Sequence, residues 1–141
     1  MGEASGELSG IRVAIVEDDA LLRESLALFL RMKGCRVETF GSAEEADDPA
    51  RLGEFGVVIS DFLLSGEDGL SFLRRVRKAN KDVTTVIITA HGNRDFLGEV
   101  GRSGIDAYLP KPISTEELEG TLKRLTEKRR GGNPPIRSEI A

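Results

Sequence analysis

The sequence has little of what would cross-link a chain or anchor it in a membrane. It contains one cysteine, one histidine and no tryptophan, and aromatic residues make up only 5% of the chain. A single cysteine excludes an internal disulfide and a CxxC metal or redox motif. No apolar run approaches the roughly 18 residues of a membrane span. Residues 1–10 are polar and glycine-rich and lack the apolar centre of a signal peptide. We therefore expect a cytoplasmic protein without membrane association.

The charge balance excludes a further class of partner. The net charge is -4 and the isoelectric point is near 5.2. Without a basic field, direct binding to nucleic acid is not expected. What the chain does have is the composition of one ordinary globular domain: 39% of its 141 residues are hydrophobic and 31% are charged.

Apolar runs alternate with amphipathic segments along the chain. The runs predict five strands, at residues 11–16, 35–40, 57–60, 85–89 and 106–109. Five βα units in succession predict an α/β domain in which a parallel sheet is covered on both faces, with right-handed crossovers. We expect a flexible N-terminal segment at 1–10, the domain at 11–127, and a linker or tail rich in glycine and proline at 128–141.

Two of the predicted helices have distinctive features. Ser42 and Glu45 have the spacing of a capping box, but Pro49 should end or kink the second helix early. Gly98 and Gly101 lie within the fourth helix, where each glycine costs about 0.5–1 kcal/mol relative to alanine. We expect the fourth helix to be the least stable.

Charged and hydroxyl side chains follow the ends of the predicted strands. They are Glu17, Asp18 and Asp19 after the first strand, Asp61 after the third, Thr89 at the end of the fourth and Lys111 after the fifth. The carboxyl ends of parallel strands meet at one edge of the sheet, where ligands bind in such folds. The sequence therefore predicts an acidic pocket with one cation.

The chemistry of this pocket follows from its charges. Two carboxylates about 4 Å apart repel by roughly 4 kcal/mol at an effective dielectric near 20. A divalent cation would offset the repulsion, and oxygen ligands suit Mg²⁺. Such an ion would also draw a phosphoryl group toward one acid, which would act as the nucleophile, and Lys111 would take the remaining charge. Asp19 is instead expected to stabilise the helix that follows it, because a negative charge near a helix N-terminus interacts favourably with the helix dipole.

Four segments together resemble a known family. They are VAIVEDD at 13–19, VVISD at 57–61, VIITA at 86–90 and YLPKP at 108–112. In order and spacing they are similar to the signatures of response-regulator receiver domains of two-component signal transduction, over about residues 10–127. The resemblance implies a flavodoxin-like, doubly wound, five-stranded parallel sheet in the order 2-1-3-4-5 with five helices.

The resemblance also implies roles for the acidic residues. Asp61 would be the phosphoacceptor and would contact the metal. Asp18 would be a direct Mg²⁺ ligand, Glu17 would act on the metal through water, and Leu63 would contribute its backbone carbonyl.

Further roles are implied on the phosphoryl side of the pocket. Thr89 would donate its hydroxyl and Ala90 its backbone N–H to the phosphoryl group, and Lys111 would pair with it. Tyr108 would be the aromatic switch that moves inward with Thr89, and the bond before Pro112 would be cis.

The function implied is that of a signalling domain rather than an enzyme with turnover. A sensor histidine kinase or a phosphotransfer protein would donate the phosphoryl group, and the domain would assist its own phosphorylation and dephosphorylation. The surface of the fourth helix, fifth strand and fifth helix would then signal to an output domain or target protein. The sequence leaves open a phosphorylation-dependent homodimer, and whether the domain stands alone or belongs to a longer protein.

Two other functions are considered for the same residues. A haloacid-dehalogenase-like phosphatase also uses an aspartate and Mg²⁺, but it needs a second acid where this chain has Leu63. A degenerate receiver would act only as a protein-binding module, and the complete pocket does not favour it.

The sequence departs from the family near the phosphoacceptor. Ser65 stands where the family often has proline, so the loop should be less rigid. Leu63 and His91 occupy places that border the path of the hydrolytic water in this family. We expect the bulky Leu63 to exclude that water and to slow dephosphorylation, and His91 to be an exposed loop residue.

Overall fold

The computed structural model of the chain describes residues 6–90 and 94–130. The described ranges contain the strands β1 (Arg12–Val16), β2 (Arg36–Phe40), β3 (Val57–Asp61), β4 (Leu63–Leu64), β5 (Glu67–Asp68), β6 (Thr84–Thr89) and β7 (Ala107–Pro110). The helices are α1 (Ala20–Met32), α2 (Ala43–Ala46), α3 (Pro49–Leu52), α4 (Gly69–Ala79), α5 (Arg94–Arg102) and α6 (Thr115–Arg130).

Five strands form one parallel sheet in the order β2-β1-β3-β6-β7. This confirms the predicted order, with β6 and β7 as the predicted fourth and fifth strands. The chain leaves β1 toward β2 on one side and returns to β3 on the other. Strand order therefore reverses between β1 and β3, which is where an open α/β sheet leaves a crevice at its carboxyl edge.

The core lies on both faces of the central strands. Every residue of β3 and β6 is buried, as expected for a parallel sheet covered on both sides. The apolar face predicted for the last helix is confirmed: Leu118, Leu122 and Leu125 of α6 are at most 1% exposed. Full burial of one such leucine contributes roughly 1.5–3 kcal/mol. This packing fixes the strand ends from which the site is built.

The predicted second helix is split into α2 and α3. The Ser42 hydroxyl accepts the Glu45 N–H at 3.1 Å, as a capping box requires, but Glu45 Oε1 reaches back to the N–H of Gly41 at 2.8 Å. The first helical segment ends at Ala46, and Pro49 occupies the first turn of α3. The predicted early end is confirmed, and the chain resumes as a second short helix because proline is tolerated in a first turn.

Some boundaries differ from those expected. Cys35, predicted to begin the second strand, precedes β2 and is buried, and its Sγ donates to the backbone oxygen of Leu8 at 3.5 Å. Leu8 is itself buried although it belongs to residues 1–10. The last helix continues to Arg130, past the predicted domain end at 127. The tail from 131 and the loop residue His91 fall outside the described residues.

None of the helices described has the length and hydropathy needed to cross a membrane.

Candidate functional site

The three acids after β1 have three different environments. Glu17 is completely buried, whereas Asp18 and Asp19 are exposed. Asp19 is the N-cap of α1, and its carboxylate accepts the N–H groups of Leu21 and Leu22 at 3.0 and 3.2 Å. Its predicted helical role is confirmed, which leaves Glu17 and Asp18 to face the pocket.

Several hydrogen bonds hold Glu17 in place. Its Oε2 accepts the Asp19 N–H at 2.9 Å, and its backbone carbonyl accepts Arg23 Nη1 at 2.7 Å. Burial raises the pKa of Glu17 above its ordinary value; the Asp19 N–H lowers it and the nearby charge of Asp61 raises it again. The pocket therefore holds a carboxylate that is costly to ionise even with the Lys111 ammonium beside it.

Asp61 lies opposite, at the last position of β3, and is 5% exposed. Lys111 Nζ is 3.2 Å from Asp61 Oδ2 and 3.3 Å from Glu17 Oε1. Burial alone would lower the pKa of Lys111, but its hydrogen bond to Asp61 and the charges of Asp61 and Glu17 raise it above the ordinary value. Lys111 is thus an ammonium between two carboxylates, at the place where we expected the single cation.

The donor set fits a hard divalent cation. Carboxylate oxygens of Glu17, Asp18 and Asp61 all lie within 4.8 Å of one another. Glu17 Oε1 is buried, and among the described residues its close polar neighbour is the Lys111 ammonium, 3.3 Å away, which forms an ion pair with it rather than a regular hydrogen bond. An unsatisfied buried carboxylate oxygen beside two further carboxylates is a ligand arrangement suited to Mg²⁺.

The remaining predicted residues lie on the neighbouring strands. Thr89, 1% exposed, ends β6 one residue beyond the partner of Asp61 in the sheet, and its carbonyl accepts the Lys111 N–H at 2.9 Å. Ala90 follows it and is exposed. Tyr108 of β7 is half-buried against the core. The Lys111–Pro112 bond is cis, as the resemblance implies.

A short hairpin follows Asp61, and sequence reasoning missed it. Leu63 and Leu64 of β4 pair with Asp68 and Glu67 of β5. The Leu63 side chain is 56% exposed. Two-residue strands have too little length to show a hydrophobic period, so only the glycines of the turn were visible in the sequence.

The role of Gly69 in the geometry of the site was also missed by sequence reasoning. A Cβ on Gly69 would lie 2.2 Å from the backbone oxygen of Asp61, and its N–H donates to the Phe62 carbonyl at 2.7 Å. Only glycine allows α4 to begin so close to the end of β3. A glycine directly before an amphipathic helix was the available signal.

A pocket of three acids and a lysine at the switch point of this fold defines a receiver-type site, and comparison with known proteins agrees. The model of the response regulator receiver domain matches residues 13–123, so the chain belongs to this family of two-component signalling domains. The transcriptional regulatory protein PmrA of Pectobacterium parmentieri is 35% identical over 123 residues, which are 87% of this chain and 55% of PmrA. The chain thus spans about half the length of that relative.

Solved structures share the fold. A CheY-like receiver domain from Methanospirillum hungatei JF-1 has a TM-score of 0.80 and 23% identity, covering 89% of this chain and all of that one. The receiver domain of Saccharomyces cerevisiae Ssk1, solved with the histidine phosphotransfer protein Ypd1, has a TM-score of 0.77 and 22% identity, covering 86% of this chain and 92% of that one.

Proposed function

We propose that this domain accepts a phosphoryl group on Asp61 with the help of Mg²⁺. The observation that carries the proposal is the position of Asp61: it is buried, 3.2 Å from Lys111 Nζ, and clustered with Glu17 and Asp18. A simple ion pair between Asp61 and Lys111 would not require the two further carboxylates of Glu17 and Asp18. Phosphoryl transfer does use all four groups, because it needs a nucleophile, a metal site and a separate cation.

The transfer step is a displacement at phosphorus. A carboxylate oxygen of Asp61 attacks, the P–N bond of a phosphohistidine breaks, and the imidazole nitrogen leaves with the bonding electron pair. Asp18, Asp61 and the Leu63 carbonyl would hold Mg²⁺ directly, and Glu17 would hold it through water. When bound, the metal neutralises negative charge on the phosphoryl oxygens.

The chain's own residues take up the remaining charge. Lys111, already between two carboxylates, would pair with a phosphoryl oxygen. The Thr89 hydroxyl and the Ala90 N–H would donate to other phosphoryl oxygens. Movement of Thr89 would then be followed by Tyr108 on β7, and the surface formed by α5, β7 and α6 would carry the change to an output domain or target.

We propose a protein as the phosphoryl donor, either a sensor histidine kinase or a phosphotransfer protein. Leu21, Leu28 and Met32 are 80%, 62% and 66% exposed, and their spacing places them on one face of α1. This apolar stripe begins two residues after the N-cap Asp19, beside the acids. The contact of Ssk1 with Ypd1 supports a donor of this kind. We also propose that the phosphorylated domain signals to an output domain, as a domain of a transcriptional regulator such as PmrA would. Phosphorylation-dependent dimerisation is part of the same proposal.

The rival phosphatase reading has less support. A phosphoaspartyl phosphatase of the haloacid-dehalogenase kind needs an acid two residues after the nucleophile, and that position holds the exposed, apolar Leu63. A degenerate binding module would have no use for a buried, costly Glu17 carboxylate in the pocket.

Incubation with Mg²⁺ and acetyl phosphate separates these functions. We expect one acid-labile phosphoryl group per chain, measured by intact-protein mass spectrometry, and none on Asp61→Asn. The matched control is Asp19→Asn, because asparagine also caps helices and that residue lies outside the proposed ligand set. Release of many phosphate equivalents would instead indicate a phosphatase, and an unmodified wild type would indicate a degenerate module.

A further inference from the structure

The hairpin after Asp61 has a turn that does not favour strand pairing. Gly66, third in the turn Leu64–Glu67, has a φ of 90°, while no described non-glycine residue, Ser65 included, has a positive φ. This combination is that of a type II turn, with glycine at its third position. Two-residue hairpins prefer the mirror-image turns because type II geometry splays the strands. A two-stranded hairpin is also marginal alone, so this one needs support from elsewhere.

Arg75 of α4 supplies a contact of this kind. Its Nη1 and Nη2 donate to the two carboxylate oxygens of Glu67, both at 2.7 Å, in a bidentate pair. Nη2 also donates to Asp47 Oδ2 at 2.9 Å, just after α2. The guanidinium lies 5.8 Å from the centre of the Phe72 ring, which helps to orient it. One side chain therefore joins the hairpin, α4 and the bend between α2 and α3.

The other end of the hairpin is fixed through the backbone. Phe62 donates its N–H to the Ile88 carbonyl at 2.8 Å and accepts the Gly69 N–H at 2.7 Å. The base of the hairpin is thus tied to β6 and to the start of α4, and Arg75 holds β5 near the tip. Leu63 lies between these two anchors.

We propose that Arg75 is a positioning residue for the metal site, holding the hairpin so that the Leu63 carbonyl faces the acids. The proposal rests on the proposed function, which assigns that carbonyl to Mg²⁺. Arg75 does for this chain what a proline at position 65 would do: it limits the conformations of the segment that follows the phosphoacceptor. The bidentate geometry matters here, because an ordinary exposed ion pair would restrict the loop little.

The test compares Arg75→Gln with Arg74→Gln. Arg74 is the neighbouring residue on the same helix, but its guanidinium donates to Ser103 at 2.9 Å, away from the hairpin. We expect Arg75→Gln to raise the dissociation constant for Mg²⁺ about tenfold, as loss of a residue that orients a ligand does. Calorimetric titration with MgCl₂ alone measures it. Without Mg²⁺, amide exchange in residues 63–68 should be faster in Arg75→Gln, and Arg74→Gln should change neither quantity.

Further variants separate position from charge. Arg75→Lys keeps the charge but cannot form the bidentate pair, so its Mg²⁺ affinity should stay below that of the wild type. Adding Ser65→Pro to Arg75→Gln should recover affinity, because proline suits the second position of a type II turn. Glu67→Gln removes the same pair from the other side and should reproduce the loss. Urea unfolding verifies that each variant is folded.

Several outcomes would overturn the inference. Unchanged Mg²⁺ affinity in folded Arg75→Gln would do so, as would full affinity in Arg75→Lys or no recovery on adding Ser65→Pro. If the wild type itself binds no Mg²⁺ and takes no phosphoryl group on Asp61, the proposed function fails. If the wild type does both and Arg75→Gln equals it, only the role of Arg75 fails.

Discussion

Gly69 and Glu17 show how single residues determine what this site can be. Gly69 has no side chain because the backbone oxygen of Asp61 occupies the space where a Cβ would lie. Glu17 keeps a carboxylate in a completely buried place although its raised pKa indicates that ionisation there is unfavourable. Packing therefore requires glycine at position 69, whereas Glu17 is kept in the pocket at a cost in stability.

Substitution of Gly69 tests the close approach of α4 to Asp61. Gly69→Ala would place a methyl group 2.2 Å from the Asp61 carbonyl, so helix and strand must move apart. We expect a loss of about 1–3 kcal/mol in the free energy of unfolding, typical of overpacking, and slower phosphorylation. Gly120→Ala is the control: its Cβ would meet only the flexible end of Arg124 at 3.7 Å, and a helical alanine should add about 0.5–1 kcal/mol. Urea unfolding measures both, and equal stability of Gly69→Ala and wild type would contradict the prediction.

Leu63 is predicted to lengthen the lifetime of the phosphorylated state. Its side chain is 56% exposed two residues after Asp61, so it is free to shield the phosphoryl group from water. We expect Leu63→Asn to shorten the phosphoryl half-life several-fold, measured by mass spectrometry after removal of the donor. Leu28→Asn changes an equally exposed leucine on α1, distant in sequence from Asp61, and should leave the half-life unchanged. An unaltered half-life in Leu63→Asn would refute the shielding role.

At the scale of elements, the sequence predicts what is long and periodic and misses what is short. The five sheet strands are confirmed to within one residue at each end, and the central ones were clearest because buried strands read as nearly continuous apolar runs. The β4–β5 hairpin and the Arg75–Glu67 pair were missed. The pair joins residues eight positions apart. This spacing does not predict a contact from the sequence, because the two side chains meet only once the hairpin folds back onto α4.

The helix α5 is predicted to be the least protected helix. It formed where expected, at Arg94–Arg102, with Gly98 and Gly101 inside it. Native-state amide exchange should therefore be fastest in α5. Gly98→Ala should slow amide exchange in α5, because alanine should raise the free energy of local opening by about 0.5–1 kcal/mol. The new Cβ would meet only the flexible guanidinium end of Arg102, at 3.2 Å. Gly120→Ala should not alter exchange in α5. Protection of α5 equal to that of α1 and α4 would contradict the prediction.

The contact between α4 and the hairpin should depend on pH. The hydrogen bonds and charge of Arg75 lower the pKa of Glu67 below its ordinary value. A carboxylate with a lowered folded-state pKa stabilises the fold above its unfolded pKa, near 4.3, and loses that contribution as pH falls through the folded value. The free energy of unfolding of wild type should thus exceed that of Arg75→Gln at pH 7. The difference should be at most about 1 kcal/mol, because the pair is partly exposed. The difference should shrink below pH 4 in urea unfolding, and a difference independent of pH would contradict this account.

At the scale of the whole molecule, the fold brings together residues that are far apart in the chain. Glu17, Asp61 and Lys111 meet because β1, β3 and β7 end at one edge, and that much followed from the sequence. The sequence did not predict that Glu17 would be fully buried or that one of its oxygens would lack a hydrogen bond, because both depend on how the loops close over the strand ends.

This arrangement predicts that metal and fold stability are coupled. A carboxyl group with a raised folded-state pKa destabilises the fold when it is ionised at pH 7, so Glu17→Gln should be more stable than wild type in EDTA. With Mg²⁺ at 100 times its dissociation constant, wild type should gain about 2.7 kcal/mol, while the variant, lacking one carboxylate, should gain less. The difference in free energy of unfolding between the two proteins, measured with urea, should therefore become smaller or change sign when Mg²⁺ is added. Asp19→Asn, altered only at the cap, should follow wild type in both conditions. If Glu17→Gln is the less stable protein in EDTA, the attraction of Lys111 outweighs the cost of burial, and the pocket needs no metal to offset its charge.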